Sequence, residues 1–142
     1  MEIMRIHIRA LLMTIVPNET FLNSDFLPFQ EGIASGAGMV LVSHNVVACM
    51  DESFPASLSP QVHKILREKL GFKGVVITDD LAMSGVRDFA GDTEIAVQAV
   101  KAGNDMLCCT DFELQIPAVI EAVKSGEITE QRINESVMRI LY

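Results

Sequence analysis

The sequence is poor in several residue types, and each shortage excludes a class of protein. It contains no Trp, a single Tyr and only 3 Cys in 142 residues. Because the Cys count is odd, a disulfide framework is not expected, and no soft ligands recur at the spacing of a metal site. Basic residues are also few, 11 against 19 acids. The net charge of −8 argues against nucleic acid or an anionic membrane surface as a partner.

Long hydrophobic runs are absent as well. No apolar stretch approaches the roughly 20 residues that a membrane-spanning helix needs. Arg5 and Arg9 precede the apolar stretch 10–16, but this stretch is at the short limit for a signal peptide. The sequence Pro17-Asn18-Glu19 after it is not a cleavage site of small residues. We therefore expect no membrane association and a cytoplasmic location.

The most informative feature present is the run from Gly71 to Met83. Its β-branched segment, 75–78, is wholly apolar until Thr78 and leads directly into Asp79 and Asp80. Uninterrupted Val and Ile are typical of a strand buried on both faces, as in a parallel sheet covered by helices. In such folds the chemistry collects just past the carboxyl ends of the strands.

The rest of the chain alternates between strand and helix patterns. Two more apolar runs, 39–42 and 106–109, predict strands, and residues 81–91 between two elements are expected to form a loop. This alternation predicts an α/β fold with parallel strands joined by right-handed crossovers. Helices are predicted at about 25–35, 60–70, between Asp92 and Gly103, 116–125 and 130–141.

Two helix starts can be assigned from local chemistry. Ser59 followed by Pro60 is the favoured arrangement of an N-cap and a first helical residue. Thr129 predicts a second N-cap, and Ile128 and Ile133 are spaced to form a hydrophobic staple across it.

Three predicted strands end in polar residues. These ends are 43–44, 79–80 and 109–111. Since side chains alternate along a strand, Asp79 and Asp80 should point in different directions, so that one faces a reaction centre while the other anchors the loop. The alternative is that both merely cap the turn, because Asp is common there. The residues alone leave both readings open.

A resemblance to a known family rests on this run and its flanks. Gly-Phe-Lys-Gly-Val-Val-Ile-Thr-Asp-Asp-Leu-x-Met at 71–83 resembles the nucleophile segment of glycoside hydrolase family 3, in the form of its bacterial β-N-acetylhexosaminidase branch. The resemblance covers residues 25–142 and leaves 1–24 unmatched. The flanking segments in family order are 27–29, 39–44, 55–59, 102–107, 125–129, 132–133 and 136–141.

The resemblance implies a fold and a reaction. The fold would be the C-terminal part of a (β/α)8 barrel, with its last three strands and their helices. The reaction would be retaining hydrolysis of a terminal β-linked N-acetylhexosamine, in which Asp79 attacks the anomeric carbon to form a glycosyl-aspartate. Saccharides that contain N-acetylglucosamine would be the substrates, and no cofactor is implied.

Two further residues are implied to line the sugar site. His44 stands at the end of the preceding strand; the alternative is a structural histidine bonded to a neighbouring loop. Met83 occupies a family position beside the sugar; the alternative is a gap-filling core residue.

The chain also departs from the family. The expected Lys-His-Phe-Pro-Gly-His-Gly segment and the loop that bears the acid/base histidine are not found, and a full barrel needs about 250 residues. We therefore expect an incomplete barrel whose isolated chain lacks half of the catalytic pair. Such a chain would pair with itself or with a complementing N-terminal barrel chain. The alternative function is a non-catalytic or assembly-dependent α/β module.

The remaining candidates are assigned structural roles. His63 is expected to lie on the exposed face of its helix. Cys108 and Cys109 are expected to be inert in a buried strand. Asp105 and Asp111 are expected to be turn and cap residues.

Overall fold

The computed structural model describes residues 13–15, 17–90 and 94–142, and it alternates helices with short strands. Most of the segment considered for a signal peptide, including Arg5 and Arg9, lies outside the described residues. A 3₁₀ turn, Ala56–Leu58, precedes α3, and π-helical turns Phe21–Asp25 and Ile65–Lys69 adjoin α2 and α3. In chain order the elements are β1 (Met13–Thr14), α1 (Asn18–Thr20), α2 (Phe26–Ala34), β2 (Met39–Val42), β3 (Val46–Val47), α3 (Pro60–Lys64), β4 (Val75–Thr78), α4 (Ser84–Ala90), α5 (Glu94–Ala102), α6 (Phe112–Lys124) and α7 (Glu130–Leu141).

The paired strands are parallel, as the sequence predicts. β2 pairs with β4 in a register that runs from Met39 opposite Val75 to Val42 opposite Thr78. β1 and β3 form a second parallel pair. Within the described ranges, no helix is long and apolar enough to cross a membrane.

The predicted strand 106–109 is wrong in its extent. A single parallel bridge joins Met106 to Ile77, and regular pairing stops there. The next amide that could extend the ladder, that of Cys108, donates to the side-chain hydroxyl of Thr78 at 3.0 Å. The segment therefore follows β4 without becoming a regular strand. Cys108 is exposed, so its expected burial is also wrong.

Two helix predictions also need correction. The loop expected after β4 contains α4, because Val86 is fully buried and packs with Leu81 and Ile95 in one apolar cluster. α6 begins at Phe112 rather than near residue 116, since the carbonyl of Asp111 accepts the first amides of that helix.

Both predicted caps are confirmed. The Ser59 hydroxyl accepts the Val62 amide at 3.1 Å, and the Thr129 hydroxyl accepts the Arg132 amide at 3.1 Å. These bonds satisfy amide groups that have no partner within the helix. Ile128 is buried in a cluster to which Ile133 belongs, as the staple predicts.

His63 is buried, contrary to the exposed position expected from the sequence. Its side chain lies against Gly103, where an added Cβ would be only 3.1 Å from the imidazole. The Nδ1 of His63 donates to the Ser59 carbonyl at 2.8 Å. Burial lowers the pKa of His63 below its usual 6.5, so the ring is neutral at pH 7. Because Gly103 has no side chain, the His63 ring can pack against it. The helical pattern of residues 60–70 alone does not reveal this contact.

Asp105 is a buried ionic centre rather than a turn residue. Its side chain is fully buried, whereas the side chains of Arg67, Arg132 and Arg139 around it are 19% to 31% exposed. One carboxylate thereby joins the π-helical turn after α3, the start of β4 and the last helix. Its partners are Arg67 Nη2 at 2.6 Å, the Val76 amide at 3.0 Å, Ser136 Oγ at 2.8 Å, Arg139 Nη1 at 2.8 Å and Arg132 Nη1 at 3.6 Å.

The charge on Asp105 is favoured in the folded state. Burial alone would raise its pKa, but hydrogen bonds from the backbone, from Ser136 and from Arg139 hold the pKa below its usual 3.8. Because the folded-state pKa lies below the unfolded one, this carboxylate stabilises the fold above pH 3.8. That contribution is lost as the pH falls through the folded-state pKa.

Replacement of Asp105 by Asn should lower the free energy of unfolding at pH 7 by about 3 kcal/mol, because three partly buried guanidinium groups lose their buried counter-ion. The new amide would also direct a donor at another donor, either Arg67 or the Val76 amide. Urea denaturation measures the effect, and the difference from wild type should shrink below pH 4. The exposed pair Lys101–Glu127 supplies the control, since Glu127→Gln should cost less than about 1 kcal/mol. Equal costs for the two variants would contradict the central role of Asp105.

Candidate active site

Three chain segments meet at the carboxyl end of β4. Asp79 and Asp80 follow this strand directly, and the Asp79 amide donates to the Val42 carbonyl at the end of β2. Thr110, which follows the segment paired with β4, donates its hydroxyl to Asp80 Oδ2 at 2.5 Å. His44 reaches the same loop from the other side. The parallel arrangement thus brings together residues from all three of the strand ends identified in the sequence.

Asp79 is half-buried, and only one of its carboxylate oxygens accepts a hydrogen bond from the described residues. Its Oδ1 accepts the Asp80 amide at 2.9 Å. Within the part of the chain that the structure describes, no donor contacts Oδ2. A carboxylate held at one oxygen is fixed in orientation, and its other oxygen is available to an electrophile.

Asp80 differs from its neighbour because both of its carboxylate oxygens are occupied. Oδ1 accepts the Ala82 amide at 2.9 Å and the Thr110 amide at 3.3 Å, while Oδ2 accepts the Thr110 hydroxyl. Partial burial alone would raise the pKa of Asp80, but the bonds from Thr110 and Ala82 hold it below its usual 3.8. Asp80 is therefore an anchor of the loop that stays ionised near neutral pH.

The backbone of the loop is held at every amide from residue 79 to residue 83. The Leu81 amide donates to the Cys108 carbonyl at 2.9 Å, and the Met83 amide donates to the Asp80 carbonyl at 3.1 Å. The other amides of the loop take the acceptors named above. Such a loop is organised before any ligand arrives, which is the condition for precise placement of a reactive group.

His44 has protein partners at both ring nitrogens. The residue is buried, with Nδ1 2.7 Å from Ser57 Oγ and Nε2 3.0 Å from the Asp80 carbonyl oxygen. These contacts match the structural alternative considered for it. A direct contact between His44 and a sugar stays a prediction.

Met83 is half-buried and packs against the apolar cluster that contains Leu58, Leu81 and Val86. This packing matches its core alternative, and its contact with a sugar likewise stays a prediction. Of the two vicinal thiols, Cys109 is a poor nucleophile, because burial, Cys108 and Asp80 all raise its pKa. Among the described residues, no group of His, Cys, Asp and Glu side chains is arranged to hold a metal ion.

The sequence reading missed three residues that build the site. Thr110 was recognised only as part of a strand end, although a hydroxyl at that position is a natural partner for a carboxylate on the next strand. Ser57 and Asn104 had no assigned role. Asn104 is buried and donates both amide hydrogens, to the Ser57 carbonyl and the Ala99 carbonyl at 2.7 Å each. No local pattern reveals these two residues, because their partners lie far away in the chain.

A cavity of about 380 Å³ lies away from the acid pair, between α2, the sheet and α3. Its walls are mainly apolar, with contributions from Phe26, Leu41 and Leu66, and neither Asp79 nor Asp80 lines it. The acid pair therefore lies outside this cavity.

Comparison with known proteins supports the motif resemblance. The model of the glycosyl hydrolase family 3 N-terminal domain matches residues 10–142, a match that starts before residue 25, where the motif resemblance begins. The beta-hexosaminidase of Glaesserella parasuis is 37% identical over 109 residues, which cover 76% of this chain and 32% of that protein. Beta-hexosaminidase A of Pseudoalteromonas piscicida is 30% identical over 139 residues, covering 82% of this chain and 23% of that protein.

A solved structure gives the same assignment. The glycoside hydrolase family 3 beta-N-acetylglucosaminidase of Paenibacillus sp. str. FPU-7 superposes with a TM-score of 0.88 at 38% identity, over 94% of this chain and 26% of that one. The chain spans less than a third of the length of each of these relatives. Its helices and parallel strands match the N-terminal barrel domain of the family. The chain therefore belongs to glycosyl hydrolase family 3, and the relatives compared above are β-hexosaminidases and a β-N-acetylglucosaminidase of that family.

Proposed function

We propose that this chain carries the nucleophile of a retaining β-N-acetylhexosaminidase, and that Asp79 is that nucleophile. The observation that carries the proposal is the contrast within the acid pair. At the carboxyl end of a parallel strand, Asp79 has one carboxylate oxygen without a donor in the part of the chain that the structure describes, whereas both oxygens of Asp80 are bonded to Ala82 and Thr110. The names of the relatives support N-acetylhexosamine as the sugar released.

The proposed reaction has two displacements. In the first, Asp79 Oδ2 bonds to the anomeric carbon while the bond from that carbon to the leaving oxygen breaks and an acid protonates this oxygen. In the second, the same group takes a proton from water, whose oxygen displaces the aspartate and releases the sugar with retained configuration. The Asp80 amide would hold Oδ1 throughout, which keeps the reacting oxygen in line with the sugar.

Asp80 is unsuited to be the acid in this scheme. Its lowered pKa keeps it ionised near neutral pH, and its oxygens already accept hydrogen bonds from Thr110 and Ala82. We propose that the acid/base group comes from barrel segments outside the residues of this chain. In the β-N-acetylhexosaminidase branch that this sequence resembles, that group is a histidine on a loop earlier in the barrel.

Incubation with an activated 5-fluoro N-acetylglucosaminyl donor, whose leaving group departs without an acid, should give one covalent adduct on wild type and none on Asp79→Asn, because the neutral amide oxygen is a far weaker nucleophile than a carboxylate. Intact-mass spectrometry detects the adduct, and peptide mapping locates it. Asp111→Asn serves as a matched control, since Asp111 is a half-exposed carboxylate that pairs with Arg87 beyond the neighbouring strand end. This control should form the adduct as wild type does.

Labelling of Asp79→Asn at the wild-type rate would overturn the assignment of the nucleophile. If no variant is labelled and N-acetylglucosamine still binds to Asp79→Asn, the non-catalytic α/β module becomes the better description of this chain.

The hydrogen bonds from Thr110 and Ala82 to the Asp80 carboxylate lead to a prediction about the pKa of Asp80. Replacement of Thr110 by Val removes the hydroxyl donor that favours the charged carboxylate, so the pKa of Asp80 should rise toward 3.8, whereas Thr110→Ser should keep it low. Carboxyl ¹³C NMR measures this pKa. Because the folded-state pKa is lowered, Asp80 stabilises the fold above pH 3.8 and loses this contribution on acidification. If the pKa of Asp80 is the same in wild type and in Thr110→Val, the hydrogen bond from the Thr110 hydroxyl does not stabilise the charged carboxylate.

We further propose that the sheet is part of a (β/α)8 barrel that other strands complete. Along β2, Val42 is buried, whereas Met39 and Leu41 on the opposite face are 50% and 58% exposed. Alternate residues of barrel strands fill the barrel interior, and an apolar face of this kind requires a cover. The short span of the chain relative to its relatives favours the preceding strands of a family 3 barrel as that cover.

A chain that holds only the preceding strands of the Paenibacillus barrel should form a one-to-one complex with this protein. Replacement of Leu41 by Glu should abolish the complex, because a carboxylate would enter the apolar interior. Light scattering coupled to size-exclusion chromatography measures the mass. The exposed control Val137→Glu on α7 should leave the complex intact. If this chain instead forms a homodimer that Leu41→Glu dissociates, a second copy covers the face and the proposal is wrong.

A further inference from the structure

His44 connects the loop after β2 to the loop that carries the acid pair. Its side chain is buried, and its Nε2 lies 3.0 Å from the backbone carbonyl of Asp80, 36 residues further along the chain. On the other side of the ring, Nδ1 lies 2.7 Å from the hydroxyl of Ser57, which is itself fully buried. Among the described residues, His44 is the only side chain from another segment that hydrogen-bonds to the backbone of residues 79 and 80.

These two contacts determine how the ring is protonated. A carbonyl oxygen only accepts hydrogen bonds, so Nε2 of His44 must carry a hydrogen that it donates to Asp80. In the neutral ring, Nδ1 then accepts the hydroxyl hydrogen of Ser57. The Asp80 carbonyl therefore selects the tautomer, and Ser57, whose hydroxyl can donate or accept, supplies the hydrogen bond that Nδ1 needs in that tautomer.

Asp80 is consequently held at every polar group that it has. Its carbonyl accepts from His44 and from the Met83 amide, and its carboxylate accepts from Thr110 and Ala82. The remaining group, the Asp80 amide, donates to Asp79 Oδ1. The direction of that amide, and with it the direction of Asp79, depends on how Asp80 is fixed.

The ring itself is anchored to the body of the fold. Ser57 accepts at its carbonyl from Asn104, which is buried and bonded to α5. The Ser57 amide donates to the Ser43 carbonyl, next to His44 in the chain. A continuous chain of hydrogen bonds therefore runs from α5 through Ser57 and His44 to the acid pair.

We infer that His44 is a positioning residue for Asp79, acting through the Asp80 carbonyl rather than by contact with the sugar. This inference rests on the proposed function, since it assumes that Asp79 is the nucleophile. The inference requires a hydrogen-bond donor at the position of His44 Nε2, and it does not require a positive charge there.

Two substitutions separate this role from simple packing. The side chain of Gln is long enough to present an N–H near the place of Nε2, whereas that of Asn reaches only the place of Nδ1. His44→Asn should therefore slow adduct formation with the 5-fluoro N-acetylglucosaminyl donor by about 100-fold, and His44→Gln should stay within about threefold of wild type. His63→Gln is the matched control, because His63 is also buried but bonds to Ser59 instead of the acid-pair loop. This control should label as wild type does.

A second measurement keeps the inference independent of activity. The ¹H–¹⁵N signal and hydrogen exchange of the Asp80 amide should change in His44→Asn and remain close to wild type in His44→Gln. Long-range ¹H–¹⁵N spectra should show the hydrogen of His44 on Nε2. If wild type forms no adduct, the proposed function fails, and these spectra still decide whether His44 holds the loop.

Several results would overturn the inference. It is wrong if His44→Asn labels as fast as wild type, or if His44→Gln is as slow as His44→Asn although both remain folded by thermal denaturation. It is also wrong if the Asp80 amide is unchanged in His44→Asn, or if the hydrogen of His44 resides on Nδ1.

Discussion

The carboxylate of Asp105 is the constraint on which the rest of the structure depends. Its side chain is fully buried just before Met106, which pairs with β4, and it holds Arg67 from the π-helical turn after α3 together with Arg132 and Arg139 from α7. It also accepts the Val76 amide and so fixes the start of β4. Because this one group locates α3, β4 and α7 relative to one another, the carboxyl end of β4 emerges at a defined place.

At the opposite end of β4, a second aspartate also accepts several hydrogen bonds, some of them from distant parts of the chain. There the polar groups hold a loop rather than helices, and Asp80 is their common acceptor. Thr110, Ala82 and His44 each bond to Asp80, while one oxygen of Asp79 has no donor among the described residues. In a site of this construction most hydrogen bonds go to one carboxylate, and its neighbour is oriented through a single oxygen.

Local features of the fold could be predicted because their physics is local. The strand 75–78 is visible as an apolar β-branched run, and the caps at Ser59 and Thr129 depend on amides only three residues away. The failures share the opposite property. α4 forms because Val86 finds a buried place beside Ile95, and His63 is buried because Gly103 leaves room above it. Neither contact is encoded by periodicity within one element.

By itself, the sequence determined that two carboxylates follow a buried parallel strand and that the chain belongs with the family 3 glycoside hydrolases. The residues alone did not show how the hydrogen bonds of the two carboxylates differ. That difference depends on Thr110, 30 residues beyond Asp80, and the position of their loop depends on His44, 36 residues before Asp80. Tertiary structure decided it, because hydrogen bonds between distant residues require positions that only the packed strands bring within about 3 Å.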